Sequence, residues 1–243
     1  MDDKIIRLQQ ILDNSRYTVA LCGSGMMEEG GFIGIKKQDK AYDIEQKYGY
    51  CSDEMYTTAF YNARPELFFR FYRNEILNFP PELTASGPAM AELEKNGHLH
   101  CVITSNIYDI PRRGGCEHVI NLHGTIYDNL CPRCKKEYSL EYVKSSKTKV
   151  PLCEKCNIPV RPLVSLFGEM VDSQRMTKTT EEIAKADALL LLGTSTGSEV
   201  FSHYIKYFTG RWLVIIHNKK HYLDNQASMV ILDYPKNVLP LLQ

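Results

Sequence analysis

The chain has 243 residues, and its 29 lysines and arginines cancel its 29 aspartates and glutamates, so no global field draws it to nucleic acid or to an acidic membrane. Apolar residues make up 44% and charged residues 24%, an ordinary globular mixture that excludes a disordered tail, a coiled coil and a collagen-like repeat. The longest apolar runs, such as Ala188 to Leu192, are too short to cross a bilayer, and Met1-Asp2-Asp3-Lys4 lacks the basic start of a signal peptide. The expectation is a soluble, cytoplasmic protein with no membrane partner and no direct nucleic-acid partner.

Lys4 to Asn14 carries Ile5, Leu8, Ile11 and Leu12 at helical spacing. Tyr17 to Cys22 is a short run of strand formers that leads straight into the turn Gly23-Ser24-Gly25. Glu28 to Pro81 is mixed and aromatic-rich, and Leu67, Phe68, Phe71, Ile76 and Leu77 predict an amphipathic helix over Pro65 to Leu77. His100 to Thr104 and Val119 to Leu122 read as buried strands. A cysteine-bearing segment, roughly Asp128 to Arg161, contains a Lys/Ser-rich connector at Lys144 to Lys149. Leu163 to Phe167 resumes the apolar strand pattern. A helix over Gln174 to Lys185, a strand over Asp187 to Leu192, a further helix and a strand over Trp212 to Ile216 complete the alternation.

Continuous apolar strands alternating with helices predict a parallel sheet covered on both faces. In such sheets ligands bind at the carboxyl ends of the strands. Three predicted strands here end in small or polar residues: Gly23-Ser24-Gly25, Thr104-Ser105-Asn106 and Gly193-Thr194-Ser195.

The cysteines carry the most specific signal. Cys131-x-x-Cys134 and Cys153-x-x-Cys156, with eighteen residues between the pairs, can supply all four positions of one tetrahedral zinc ion and leave none open for water, so the zinc is structural. Arg133, Lys135, Lys136 and Lys155 stand close by in sequence to offset the thiolate charge. Cys22, Cys51, Cys101 and Cys116 are scattered and read as core or incidental thiols.

The other motifs each have two readings. Gly23-Ser24-Gly25 is either an ordinary turn or a close backbone approach to a phosphate. Gly193-Thr194-Ser195 supplies hydroxyls for a ribose or for a helix N-cap. His123-Gly124, after Val119 to Leu122, is either a structural histidine or a general base with room for a substrate beside it. Phe167-Gly168-Glu169 closes a strand and reads by itself as a turn with a solvated carboxylate. The tyrosines between Tyr42 and Tyr61 read as a packed aromatic lobe.

Taken in order, these motifs resemble the sirtuins, the NAD-dependent protein deacylases. The family's G-A-G-I-S is matched by Gly23-Ser24-Gly25-Met26-Met27, T-Q-N-I-D by Thr104-Ser105-Asn106-Ile107-Tyr108, and H-G by His123-Gly124. The zinc ribbon follows, then F-G-E as Phe167-Gly168-Glu169, G-T-S as Gly193-Thr194-Ser195, an I-N turn as Ile216-His217-Asn218, and a V-L-P-x-L tail as Val238 to Leu242. The resemblance implies an α/β fold: a Rossmann-like parallel-sheet domain with a small lobe made of a zinc ribbon and a helical insert. It implies one catalytic domain over 1–243, with the large part at 1–30, 82–127 and 162–243 and the small lobe at 31–81 and 128–161.

It also implies roles. NAD, as co-substrate, is held by Gly23, Ser24 and Gly25 at the phosphates, by Gly193, Thr194, Ser195 and Asn218 around the adenosine ribose, and by Ser105, Asn106, Ile107 and Asp109 around nicotinamide and its ribose. Asn106 and His123 are the expected catalytic residues. Nicotinamide leaves as the acyl oxygen attacks the ribose carbon, and His123 then deprotonates a ribose hydroxyl, which a neutral imidazole can do near pH 7 because its unperturbed pKa is about 6.5. An acylated-lysine peptide enters as an added strand between Phe167-Gly168-Glu169 and the loop after Gly193-Thr194-Ser195.

The chain departs from the family around nicotinamide. Where the family has P-D-F-R, this sequence has Glu28-Glu29-Gly30-Gly31-Phe32. Ser105 replaces a glutamine and Tyr108 an aspartate, with Asp109 one position later, and L-H-x-x-A-G becomes Ile110 to Gly115. These changes, with the tyrosine-rich Tyr42 to Tyr61 stretch, also resemble the macrodomain-linked microbial sirtuins that transfer ADP-ribose to proteins. That group typically lacks the histidine present here as His123. The leading expectation is therefore NAD-dependent lysine deacylation releasing O-acyl-ADP-ribose, with protein mono-ADP-ribosyl transfer as the alternative. An NAD sensor and a zinc-ribbon adaptor rank below both.

Overall fold

The computed structural model describes residues 3–243; Met1 and Asp2, where the expected large part begins, lie outside the described residues. Nine strands occur among them: β1 Thr18–Cys22, β2 Cys101–Thr104, β3 Val119–Asn121, β4 Gly124–Leu130, β5 Glu137–Tyr138, β6 Arg161–Val164, β7 Ala188–Leu192, β8 Trp212–Ile216 and β9 Met229–Ile231. The chain divides into two compact units. One takes in the described residues up to Gly31, Glu82–Leu122 and Asp172–Gln243; the other takes in Phe32–Pro81 and His123–Val171.

The first unit is built on a six-stranded sheet in the order β3-β2-β1-β7-β8-β9, every neighbour parallel. All five residues of β1 and all five of β7 are buried, as a strand covered on both faces requires. Val19, Leu21, Ile103, Leu189, Leu191 and Ile215 pack with Ile183 and Phe201, each such side chain contributing about 1.5–3 kcal/mol by leaving water. From β1 the chain runs outward through β2 and β3, then returns to the other side of β1 with β7 and continues to β9. The strand order therefore reverses between β1 and β7, and the turns after those two strands flank the reversal. β9 is an edge strand of three residues, too short to stand out in the sequence.

Leu163 to Phe167 does not join this sheet. Instead β6 pairs antiparallel with β4, and β4 with β5, in a separate three-stranded sheet of the second unit. The reason is its pattern: Pro162 and Val164 are buried while Arg161 and Leu163 are half-buried, the alternation of a strand with one covered face. The contact boundaries accordingly fall before His123 and after Val171, so that β4 and β6 lie whole in the second unit, where the sequence reading divides them at 127 and 162.

The rest of the second unit is helical. The helix expected over Pro65 to Leu77 is α-helical over Pro65–Phe71 and widens into a π-helix over Tyr72–Leu77, with Asn78 N–H donating to the Arg73 carbonyl at 3.0 Å. Phe68, Phe69, Phe71 and Tyr72 are fully buried, as are most of Tyr48, Tyr56, Phe60 and Tyr61, so the tyrosine-rich stretch is a packed lobe; Tyr42, 63% exposed, lies outside it. Arg73 donates to the carbonyls of Val143, Thr148 and Lys149, which ties down the Lys/Ser-rich connector.

The π-helical turn also carries Glu75, whose carboxylate is 4% exposed. It accepts from Lys40 Nζ at 2.5 Å, Lys47 Nζ at 2.8 Å and Tyr48 Oη at 2.8 Å. Burial alone would raise its pKa, but the hydrogen bonds from Lys40, Lys47 and Tyr48 outweigh it and hold the carboxyl at about 2. A depressed carboxyl pKa gives stability that is present above the unfolded value, about 4.3, and is lost as pH falls through the folded value. Glu75→Gln should therefore cost about 3 kcal/mol near neutrality, the scale of breaking a buried ion pair. The gap to the parent chain should narrow as pH falls from about 4.5 towards 2, which denaturant melts at several pH values measure.

Candidate active site and metal centre

At the reversal of strand order the turns after β1 and β7 lie backbone against backbone. Gly23 N–H donates to the Leu192 carbonyl at 3.0 Å, Gly25 N–H to the Gly193 carbonyl at 2.9 Å, and Gly193 N–H to the Ile216 carbonyl at 2.9 Å. A Cβ at Gly25 would stand 2.6 Å from Gly193 Cα, and one at Gly23 would stand 2.5 Å from Thr194 Cβ. Gly193 itself has φ +59°. Gly193, just after β7, thus packs backbone to backbone against both glycines of the first turn. Ser24 is exposed and begins the four-residue helix Gly25–Glu28, yet its hydroxyl makes no capping bond. Thr194 and Ser195 cap no helix either; Ser198 Oγ accepts from Phe201 N–H ahead of Ser202–Ile205.

After β2, Asn106 is 2% exposed and fixed from both ends: Nδ2 donates to Thr104 Oγ1 at 2.5 Å, and Oδ1 accepts from Tyr108 N–H at 3.3 Å. Ser105 N–H donates to the Cys22 carbonyl at 3.1 Å, which brings this turn beside the first glycine turn, while Ile107 is half-buried. Tyr108 and Asp109 separate in role. Tyr108 is 1% exposed and belongs to the core. Asp109 adopts the left-handed conformation, which aspartate tolerates, and its Oδ1 accepts from Asn121 Nδ2 at 2.9 Å at the end of β3. Asn121 Oδ1 is buried with no protein partner among the described residues, a polar atom turned to the same end of the sheet. After β8, His217 Nε2 lies 3.2 Å from Asp224 Oδ2, so His217 is a paired structural histidine; the half-buried Asn218 follows it.

One buried acid escapes the sequence reading. Glu29, 5% exposed, accepts from Thr84 Oγ1 at 2.6 Å, from Ser86 Oγ and from Lys236 N–H at 2.9 Å. It stands in the segment where the resembled family carries P-D-F-R. Its partners lie 55 and 207 residues away, so no local pattern marks it.

In the second unit, His123 is half-buried and its carbonyl accepts from Ser165 N–H at 2.8 Å, while Gly124, at φ +72°, opens β4 opposite Val164. Two residues beyond Ser165, Phe167 is pinned through its backbone: its N–H donates to the Tyr56 carbonyl at 2.9 Å and its carbonyl accepts from Thr58 N–H at 3.2 Å. Its ring is 39% exposed. Glu169 is not a solvated carboxylate, for it accepts twice from Arg161 Nη2, at 2.7 and 2.8 Å, and from Leu166 N–H. Burial would raise its pKa, yet these bonds leave it lowered. Among the described residues the backbone of Gly168, Met170 and Val171 makes no hydrogen bond, and Met170 is 92% exposed.

The sulfurs of Cys131, Cys134, Cys153 and Cys156 lie within 4.8 Å of one another, with Cys134 and Cys153 at 3.7 Å. Zinc–sulfur bonds of about 2.3 Å in a tetrahedron need sulfurs about 3.8 Å apart. The donor set therefore fits one structural zinc ion. Both knuckles are alike: Cys134 N–H and Cys156 N–H point at the sulfurs of Cys131 and Cys153, and each loop turns back on a left-handed residue, Lys135 or Asn157. Cys22, Cys101 and Cys116 are buried thiols elsewhere; burial raises all three, Cys101 and Cys116 to about 12, which keeps them protonated and inert.

The chain belongs to the Sir2 family, whose pattern matches residues 23–200. It is 32% identical over 237 residues to an NAD-dependent protein deacetylase of Clostridium acetobutylicum, covering 98% of this chain and 97% of that one. It is 31% identical to a protein of the same description from Clostridium perfringens, covering 98% of each. A solved structure described as the structural basis of sirtuin substrate affinity superposes with a TM-score of 0.88 at 28% identity, covering 99% of this chain and 97% of that one. Another, Sir2 bound to acetylated peptide, gives 0.82 at 26% identity over 98% and 96%.

Two outcomes follow from the geometry. Gly25→Ala should destabilise the fold by about 1–3 kcal/mol, the cost of forcing a methyl into packed backbone, seen as a lowered Tm. The purified protein should carry one zinc per chain by native mass spectrometry, and Cys153→Ser should both lose the metal and lower stability, because metal binding and folding of such ribbons are coupled.

Proposed function

We propose that the protein is an NAD-dependent protein deacetylase that takes an acetylated lysine on a peptide or protein. The observation that carries this reading is the match of the whole chain, with its strand-end turns, to Sir2 relatives of that description. NAD supplies the electrophilic ribose carbon that accepts the acyl oxygen. The chain's own residues bind, orient and move a proton. Ser24, with its exposed hydroxyl, faces the phosphates, while Gly23 and Gly25 pack their backbone against Leu192 and Gly193, where a side chain on either would force the two turns apart. Gly193, Thr194, Ser195 and Asn218 serve the adenosine ribose. Asn106, held rigid between Thr104 and Tyr108, orients the nicotinamide ribose with Ser105 and Ile107 beside it. Asp109, held by Asn121 at the end of β3, offers the carboxylate on the nicotinamide side, and Tyr108 packs into the core.

His123 acts as general base, taking the proton of a ribose hydroxyl at an imidazole nitrogen. Its backbone tie to Ser165 sets it on the strand that runs on to Phe167. The unpaired backbone of Gly168, Met170 and Val171 is the edge on which an extended peptide adds. The zinc has four protein ligands and no open position, so its work is to hold the ribbon. No helix among the described residues is long and apolar enough to cross a membrane.

The test is product identification by mass spectrometry with NAD and acetyl-lysine peptides. Peptide-dependent release of nicotinamide and O-acetyl-ADP-ribose is expected; ADP-ribose attached to protein, with the peptides intact, would replace this reading with the transferase. His123→Ala should lower kcat by about 10²–10⁴-fold, the usual worth of a general base, while NAD binding measured by calorimetry persists.

A further inference from the structure

The buried acid Glu29 stands directly after the helical turn Gly25–Glu28, which opens on Ser24. Its N–H donates to the Gly25 carbonyl at 3.0 Å and so closes that turn. One carboxylate oxygen accepts from Thr84 Oγ1 at 2.6 Å and from Ser86 Oγ, and the other accepts from Lys236 N–H at 2.9 Å. Its carbonyl accepts from Lys236 Nζ at 2.8 Å. One residue thus fastens three segments of the first unit: the turn that carries Ser24, the start of the helix Ser86–Lys95 and the start of the helix Pro235–Val238.

The turn needs such a fastening. A helix of four residues is far too short to hold itself in water. Its beginning is pinned where Gly25 N–H meets the Gly193 carbonyl at 2.9 Å. Just past its end come Gly30 and Gly31, the latter at φ +80°, and these leave the chain free to bend. That end is fixed by Glu29, and by Glu82 N–H donating to the Gly30 carbonyl at 2.9 Å. Ser24 depends on it, for its carbonyl accepts from Met27 N–H at 2.9 Å and from Glu28 N–H at 3.0 Å. The residue type points the same way. An apolar side chain serves core stability at least as well, because a buried carboxylate has to replace its hydration with hydrogen bonds. Directed bonds to Thr84, Ser86 and Lys236 instead fix the turn in a single arrangement.

We propose that Glu29 is a positioning residue for the co-substrate: itself buried, it holds Ser24, through the turn, where the phosphates of NAD bind. The proposal rests on the deacetylase reading, in which that turn serves NAD. Without the clamp only a fraction of the chains hold the turn in its binding form, and the apparent Kd for NAD rises by the inverse of that fraction. The peptide edge and His123 belong to the second unit and have no bond in this clamp, so the effect falls on NAD alone.

Calorimetry with NAD, and kinetics with NAD and an acetyl-lysine peptide, test this on the full chain well below the Tm of each variant. Glu29→Ala should weaken NAD binding about tenfold, with kcat at saturating NAD and KM for the peptide within about twofold of the parent. Glu29→Gln should recover the NAD affinity to within about twofold, since its amide oxygen still accepts from Lys236 N–H and the two hydroxyls can turn to accept from its amide nitrogen. Thr84→Val combined with Ser86→Ala answers for the case in which Glu29→Ala does not fold. It removes both hydroxyl donors without touching the turn, and should weaken NAD binding about threefold. Glu182→Ala is the stability control: it removes an acid held by Tyr17 Oη and Lys185 Nζ, and should lower Tm with NAD affinity unchanged. With a parent chain that binds NAD, unchanged affinity in Glu29→Ala or in the Thr84 and Ser86 double variant overturns this inference alone. So does an equal loss of NAD affinity in Glu182→Ala, or an equal loss for NAD and peptide. If the parent binds NAD but leaves the peptide acetylated, the deacetylase reading falls and the NAD affinities alone decide this inference. If the parent binds no NAD, both fall.

Discussion

The first unit depends on the contact of the two turns at the reversal of strand order. Gly23, Gly25 and Gly193 lie so near one another that none can carry a side chain without moving backbone. That closeness is what lets Gly193 bond at once to Gly25 and to Ile216, so the ends of β1, β7 and β8 share one hydrogen-bonded rim. Ser105 extends the rim to β2 through the Cys22 carbonyl, and Asp109 extends it to β3 through Asn121. Every strand-end residue assigned to the co-substrate hangs on this rim. Its rigidity is bought with backbone packing rather than with side chains.

The second unit is organised differently, by polar and metal clips on an aromatic core. Glu75 gathers Lys40, Lys47 and Tyr48 onto the π-helical turn, Arg73 ties that turn to the connector, and four sulfurs close the ribbon. Each clip joins residues far apart in sequence that have too little local structure to hold themselves. The short antiparallel sheet then carries the His123 turn at one end of β4 and Phe167 just beyond β6. Precision at His123 therefore depends on a backbone ladder, with the clips keeping the surrounding lobe in shape.

What the sequence disclosed and what it hid divide along the same physical line. The continuous apolar runs of β1 and β7 and the spacing of the cysteine pairs are local signals, and both are legible because burial on two faces and tetrahedral ligation each impose a short pattern. β6 misled because its apolar residues alternate, and alternation over four residues looks like a run when the flanks are apolar too. The π-helical half of Pro65 to Leu77 was invisible, since it is fixed by lysines and a tyrosine more than twenty residues away. Glu29 was hidden for the same reason. The expectation of Asp109 rather than Tyr108 beside nicotinamide rests on residue type alone; that Tyr108 is buried and Asp109 stands in a left-handed turn was not legible in the sequence.

The pairing of β1 with β7 has a consequence for how the chain is made. Thr18 lies opposite Ala188, so the central strand has one open edge until some 170 residues after it have been synthesised. Non-local parallel pairings of this kind are slow to form and leave strand edges exposed meanwhile. Both cysteine pairs and the whole helical insert precede Ala188, so the second unit can fold and take its metal on the ribosome while the first still waits for half its sheet. The nascent chain thus carries a finished domain inside an unfinished one, and its window of greatest exposure to aggregation closes only when β7 and β8 emerge.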